Sequence, residues 1–394
     1  MKNFHLLIIC LLLLFTMPVI AQEEGEEEEK EKESKLTFAG SADVYFRRNF
    51  NGPTKGEFAQ APATSFGNLP GIALGMFNLI TTYEGKNVGV VADLVYGPRG
   101  EDAVFRSPMN TGGMAGSSQI VNQLYVYWNV SKAVTLTFGN FNTYLGYEVI
   151  SPVGNFNYST SYMFSYGPFS HTGLKADFAL SEKFSFMAAV MNPTDMTEFN
   201  QFDSYTFGAQ LGYTGDNGST YLNFLYGDQD GKFDTDIPAN TGATSAGTTF
   251  QVDLTTGYDL TESLYLGLNA TYNTVAPGEV YNGSTIIDAT GDNSGFYGVA
   301  GYLQAALSEK LKLGARGEYF SVFNTGIDGA IGLDSNGDGN VFALTVSVNW
   351  KVSDNLMLIP EIRTDNMKEN FFLNNQLAAS KNLSSFLLAA VFSF

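Results

Sequence analysis

The chain has 394 residues and a formal charge of −19, with 40 acidic against 21 basic side chains, a balance that argues against nucleic-acid binding. Past the N-terminus no stretch approaches the roughly 18 apolar residues of a membrane helix, which excludes a helical membrane protein. Aromatic residues reach 14 % and charged residues only 15 %, which suits strands with one face in lipid and a secreted all-β protein almost as well.

Lys2 precedes an apolar run from Leu6 to Phe15, followed by Pro18 and Val19-Ile20-Ala21, so residues 1–21 read as a signal peptide cleaved after Ala21. The single cysteine, Cys10, lies inside that run, and Ile9 before it is too large for a lipoprotein cleavage site. The mature chain therefore has no thiol, disulfide or zinc–thiolate chemistry. Residues 22–35 are dominated by glutamate and cannot bury a core. They form a solvated periplasmic tail, or a tether to a basic periplasmic partner.

From residue 36 to 394 the chain repeats one device, a short polar turn between two alternating runs. It occurs at Glu84–Val90, Val130–Phe138, Ala179–Phe186, Thr214–Leu222, Leu260–Gly267, Ala306–Gly314 and Val352–Leu358. Strands are predicted near 36–48, 71–84, 87–97, 118–129, 133–141, 169–180, 183–192, 202–213, 219–227, 249–259, 263–273, 296–307, 310–320, 341–350, 355–364 and 383–394. Short turns at one end and long loops at the other are the layout of a transmembrane antiparallel up-and-down β-barrel of about 16 strands. The alternation fits: Phe38, Ala42, Val44 and Phe46 are set against Ser41, Asp43, Tyr45 and Arg47. The polar face carries Asp43, Arg47, Asp93, Lys175, Asp177, Asp253, Lys312, Arg316, Glu318, Glu361 and Arg363, which are expected to line the pore. Two runs fit badly: Ile72–Thr82 is apolar on both faces, and Pro360 interrupts a strand that should be central. Tyr127-Trp128, Tyr319-Phe320, Trp350 and Phe392 fall at strand ends, as interfacial girdles would.

The longest insertion, residues 140–169, is dense in Tyr and Phe, unlike a mobile surface loop. Either it folds inward and narrows the lumen, with Tyr144, Tyr147, Glu148, Tyr158 and Tyr162 near the constriction, or it packs across the outer rim. Asp334, Asn336 and Asp338 stand at the first, third and fifth positions of a calcium-type loop with Gly339 at the sixth. Thr345 replaces the bidentate Glu at the twelfth, so a Ca2+ site competes with a plain Asp/Gly/Asn turn. Asp228, Asp230, Asp234 and Asp236 make a second acidic loop. His171 is the only histidine after cleavage and no nucleophile motif adjoins it, so no catalytic residue is assigned and no cofactor is expected beyond that Ca2+.

Gly146-Tyr147-Glu148, Asn157-Tyr158-Ser159 and Gly167-Pro168-Phe169 with His171-Thr172-Gly173 resemble the signature region of the OmpL-like β-barrel porins. The resemblance implies an outer-membrane pore and supplies no catalytic residue. The last strand also resembles those of outer-membrane barrels, which the barrel-assembly machinery recognises by a C-terminal Phe, here Phe394.

The expectation is a Gram-negative outer-membrane porin, in contact with lipid and passing small hydrophilic solutes and ions by diffusion, with a weak cation preference. The competing reading is a closed barrel serving as a structural or adhesive subunit of an outer-membrane complex. Porins of this size are often homo-oligomers, although no residue here identifies the contact.

Overall fold

The computed structural model describes residues 34–66, 69–104, 120–198, 200, 202–232 and 244–394. The signal peptide and nearly all of the glutamate-rich tail lie outside the described residues, as do Asp234 and Asp236.

Sixteen strands make the wall. They are β1 (Lys35–Asn49), β2 (Gly71–Glu84), β3 (Val88–Tyr96), β4 (Val121–Ser131), β5 (Val134–Asn142), β6 (Ser170–Ala179), β7 (Phe184–Met191) and β8 (Thr206–Gly215). They continue as β9 (Gly218–Asp228), β10 (Thr244–Thr261), β11 (Leu264–Tyr281), β12 (Ser294–Ser308), β13 (Leu311–Phe323), β14 (Gly339–Lys351), β15 (Leu356–Met367) and β16 (Asn382–Ser393). Each pairs antiparallel with its neighbours in sequence, and β1 pairs with β16 as well as β2, so the sheet closes. Closure leaves no unpaired edge in the wall, the condition for crossing a bilayer with strands. Phe394 completes the seam, exchanging backbone hydrogen bonds with Gly40 in both directions, each 3.0 Å. The predicted short turns fall at one end of the cylinder and the long connections at the other. Among the described residues no helix is long and apolar enough to cross a membrane.

Alternation sorts the two faces. On β1, Ser41, Asp43, Tyr45, Arg47 and Asn49 are buried inward, while Phe38 and Val44 are exposed outward. The outward rows of Leu, Val, Phe and Tyr expose apolar surface that water would penalise and lipid accepts. The double-faced β2 has a local cause: its register against β1 shifts between Ala42 and Val44, where Gly75 and Met76 are both buried. Ile72 and Leu74 face out before the bulge and Phe77 after it, so apolar residues occupy both parities of one lipid-facing row. At Pro360 the ladder between β14 and β15 lacks the pairs opposite Val348 and Asn349, whereas the β16 side pairs Pro360 with Leu388. The proline thus sits where one ladder is open and the other holds the strand.

Two expectations need correction. Phe320 does not belong to an outward girdle: it is fully buried and packs inward against Tyr162, Tyr166 and Phe296, whereas Tyr319, Trp128, Trp350 and Phe392 do face out. The β10–β11 hairpin also runs well beyond its predicted ends, through Gly247, Pro277 and Gly278, because bulges at Ala246 and Thr249 absorb residues that read as loop.

Candidate functional site

Between β5 and β6 the chain leaves the wall for residues 143–169, and the ends of this segment are tied by Thr143 N–H donating to the Phe169 carbonyl at 2.9 Å. Such an irregular stretch has backbone amides and carbonyls that no ladder satisfies, and each needs a partner once water is excluded. The inward side chains of the wall supply them.

Glu318 on β13 accepts from Tyr162 N at 2.9 Å and Met163 N at 2.8 Å, the first free amides of a short helix, α2 (Tyr162–Tyr166), that Ser161 caps through Phe164 N. Glu361 on β15 accepts from Tyr158 N at 2.9 Å and from the Ser347 hydroxyl at 2.9 Å. Arg363 donates to the Thr160 carbonyl at 2.8 Å and is held by Asp365 at 2.8 Å. Arg316 donates to Glu148 at 2.5 Å, to the Ser159 carbonyl at 2.7 Å and to Thr345 Oγ1 at 3.1 Å. On β1, Asp43 accepts from the Tyr158 hydroxyl at 2.5 Å, and on β10 Asp253 accepts from Gly146 N at 2.9 Å. These are charge-assisted bonds, roughly twice as strong as neutral ones. These contacts tie the segment to inward-facing side chains of β1, β10, β13 and β15.

Aromatic packing fills the spaces between these bonds. Tyr147 stacks on Tyr302 with centroids 4.1 Å apart, and its hydroxyl donates to Tyr265 at 2.7 Å. The Tyr144 hydroxyl donates to the Phe224 carbonyl at 2.7 Å. Burial pushes the phenols of Tyr144, Tyr147 and Tyr158 well above their ordinary range, so they remain neutral donors, and it pushes Tyr166 up to about 12. Arg99, in the helix α1 (Pro98–Ala103), donates to the Ile150 carbonyl at 2.8 Å and lies 4.2 Å over the Phe66 ring.

Of the eleven charged residues expected to line the pore, Asp43, Asp253, Arg316, Glu318, Glu361 and Arg363 grip this segment. Arg47 donates to the Gln60 carbonyl in the β1–β2 connection, and Asp93 is held by Asn78, Asn122 and Gln123. Lys175 pairs with Asp177 at 3.1 Å, and Lys312 is exposed near the short-turn end. Tyr144, Tyr147, Glu148, Tyr158 and Tyr162 all belong to the segment's contacts with the wall. Asp365 was missed, although alternation one step of two beyond Arg363 would have found it; Asn157 entered only through the family resemblance, and Arg99 carried no sequence signal.

At the calcium-type loop, Asp334 Oδ1 accepts from Asn336 N at 2.9 Å and Asp338 N at 3.2 Å, while its Oδ2 pairs with Lys368 at 3.2 Å. Asp338 Oδ1 accepts from Asn324 N at 3.0 Å, and Gly337 turns the chain at φ +79°. These carboxylates serve the turn, and among the described residues no group of three or more His, Cys, Asp or Glu could hold a metal ion. In the second acidic loop, Asp228 accepts from Asp230 N and Gly231 N.

A closed sixteen-stranded antiparallel barrel with an apolar exterior and a polar interior defines an outer-membrane protein of the porin class. The chain belongs to the family described as "Putative beta-barrel porin-2, OmpL-like", whose model matches residues 35–394. No curated protein matches the sequence. Among solved structures, the trimer form of OmpT from Vibrio cholerae is 13 % identical, with 92 % of this chain and 99 % of that one covered at a TM-score of 0.54. The outer membrane channel DcaP of Acinetobacter baumannii is 12 % identical, covering 94 % and 99 % at a TM-score of 0.55. An anion-selective porin from Comamonas acidovorans is 10 % identical, covering 92 % and 100 % at a TM-score of 0.56. At these identities the likeness is one of fold.

Proposed function

We propose that the chain is a diffusion porin for small hydrophilic solutes and ions whose bore is narrowed by residues 143–169. The observation that carries this reading is the grip of six inward charged residues on that segment, which anchors it across the cylinder at fixed height. The six gripping residues are four acidic and two basic, so the bore keeps an acidic excess where the segment is held, and this gives a weak cation preference. On this reading the short-turn end faces the periplasm, residues 1–21 direct export, residues 22–35 lie in the periplasm, and the strand ending at Phe394 is what the assembly machinery takes up. A homo-oligomer is the expected assembly, the Vibrio cholerae protein having a trimer form.

One observation favours the competing reading of a barrel closed by its own segment: Met191 and Thr206, on β7 and β8 where none of the six gripping charges stands, are buried as well. Purified folded protein in a planar bilayer separates the two. Stable single-channel steps support the porin, with a reversal potential in a salt gradient on the cation side. Absence of steps from protein shown to be folded overturns it, and clear anion selectivity overturns the field argument.

A further inference from the structure

The gripping charges stand on β1, β10, β13 and β15, and beyond Asp253 along β10 the wall changes chemistry. Where Tyr144 and Tyr147 reach toward β9, β10 and β11 there is a cavity of about 370 Å³, lined by those two rings, Tyr221, Tyr265, Ser219 and Thr255 among others. None of its described lining residues is charged. A second cavity, of about 430 Å³ where residues 153–156 meet β12, β13, β14 and β15, includes Glu309, Lys310, Lys312 and Lys351 in its lining. The two cavities thus differ in charge.

The tyrosine rings are laid against the wall because the wall makes room. A Cβ at Gly267 would stand 2.6 Å from the Tyr147 hydroxyl, and one at Gly257 would collide with that of Tyr265. Glycine at both positions, which face each other across β10 and β11, lets two rings lie close to the strands. A tyrosine face carries negative quadrupolar charge and receives C–H groups, while its hydroxyl donates and accepts. A charged solute would shed hydration there with no counter-ion to replace it, and an apolar solute would strand the hydroxyls of Ser219, Tyr221 and Thr255. A pyranose meets both demands, with C–H bonds on its faces and hydroxyls around its edge. The volume is at the lower end of the range for small-molecule sites.

We infer that this cavity binds neutral polyhydroxylated solutes, sugars of one or two rings. Its place on a diffusion path rests on the porin reading; its binding chemistry does not.

Calorimetric titration of the full-length folded barrel in detergent tests it, with maltose as probe and succinate and putrescine as charged comparisons. The expected result is saturable, roughly millimolar binding of maltose alone. Tyr221→Ala weakens it about threefold to tenfold, the worth of one aromatic face, and Tyr221→Phe or Thr255→Val weakens it less. Gel mobility before and after heating verifies that each variant is folded. No saturable maltose binding to folded protein overturns the inference, as does equal binding of succinate or putrescine, or unchanged affinity in both Tyr221→Ala and Thr255→Val. Maltose added to conducting channels should raise current fluctuations. A barrel that binds maltose yet never conducts upholds the site and overturns the porin reading.

Discussion

Arg316→Met places the greatest load on the contact between the inward segment and the wall. The guanidinium is fully buried and bonds Glu148 at 2.5 Å, the Ser159 carbonyl at 2.7 Å and Thr345 at 3.1 Å. Methionine fills much of the volume but leaves the Glu148 carboxylate buried, with the Ser161 amide at 2.7 Å as its remaining strong partner. Breaking a buried pair from one side costs about 3–5 kcal/mol, most of it the stranded charge. Removing the carboxylate as well, in Arg316→Met with Glu148→Gln, should return about 1–3 kcal/mol as a coupling energy. Urea unfolding in lipid vesicles reads this as a midpoint lowered by about 1 M or more in the single variant and partly restored in the double. If the segment lets go before the barrel unfolds, the same energy appears as protease cleavage within residues 143–169. A single variant with wild-type midpoint and protection, or a strictly additive double variant, would refute the reasoning.

Other consequences follow from particular contacts. Removing Phe394 deletes the backbone pair with Gly40 that finishes the β1–β16 seam, so insertion of the truncated chain into vesicles should slow and its heat-modifiable gel form should weaken; unchanged insertion kinetics would count against the seam. Gly267→Leu should drive the Tyr147 ring off the wall and break its hydroxyl bond to Tyr265, which loss of maltose affinity in a folded barrel would report. The amides of Asn336 and Asp338, with Lys368, hold the Asp334 carboxyl below its ordinary range, and Asp334 in turn holds the Lys368 ammonium above its own. A depressed carboxylate contributes above its unfolded value and is lost as pH falls through the folded one; a raised ammonium contributes below its unfolded value and is lost as pH rises through the folded one. The latch should therefore be constant between about pH 4 and pH 10, and Asp334→Asn should speed amide exchange in the β13–β14 loop across that window.

Much of the wall was legible because its cause is local. Seven turns and a period-two pattern are set by neighbours in sequence, and they placed all sixteen strands, with the β10–β11 ends the largest misjudgement. Phe320 shows where locality fails: it sits beside Tyr319 near a strand end, and only the arrival of Tyr162 and Tyr166 from another part of the chain decides that it packs inward. The inward charges were found by alternation, but what they hold was not, since Glu318 reaches amides 155 or more residues away in sequence. Arg99 lies in a loop helix with no periodicity to declare its direction, and its partners at Ile150 and Tyr158 exist only once the segment is folded in. The tyrosine-lined cavity was hidden for the same reason: it forms where a loop meets four strands.

The segment's role in transport is open to one direct measurement. The ends at Thr143 and Phe169 are joined by a hydrogen bond, so excising residues 143–166 and bridging the gap leaves β5 and β6 in place. Single-channel conductance of this deletion beside the full chain, both verified as folded, should show a severalfold larger step in the deletion. Equal conductance, or conductance from neither, would contradict a bore limited by that segment.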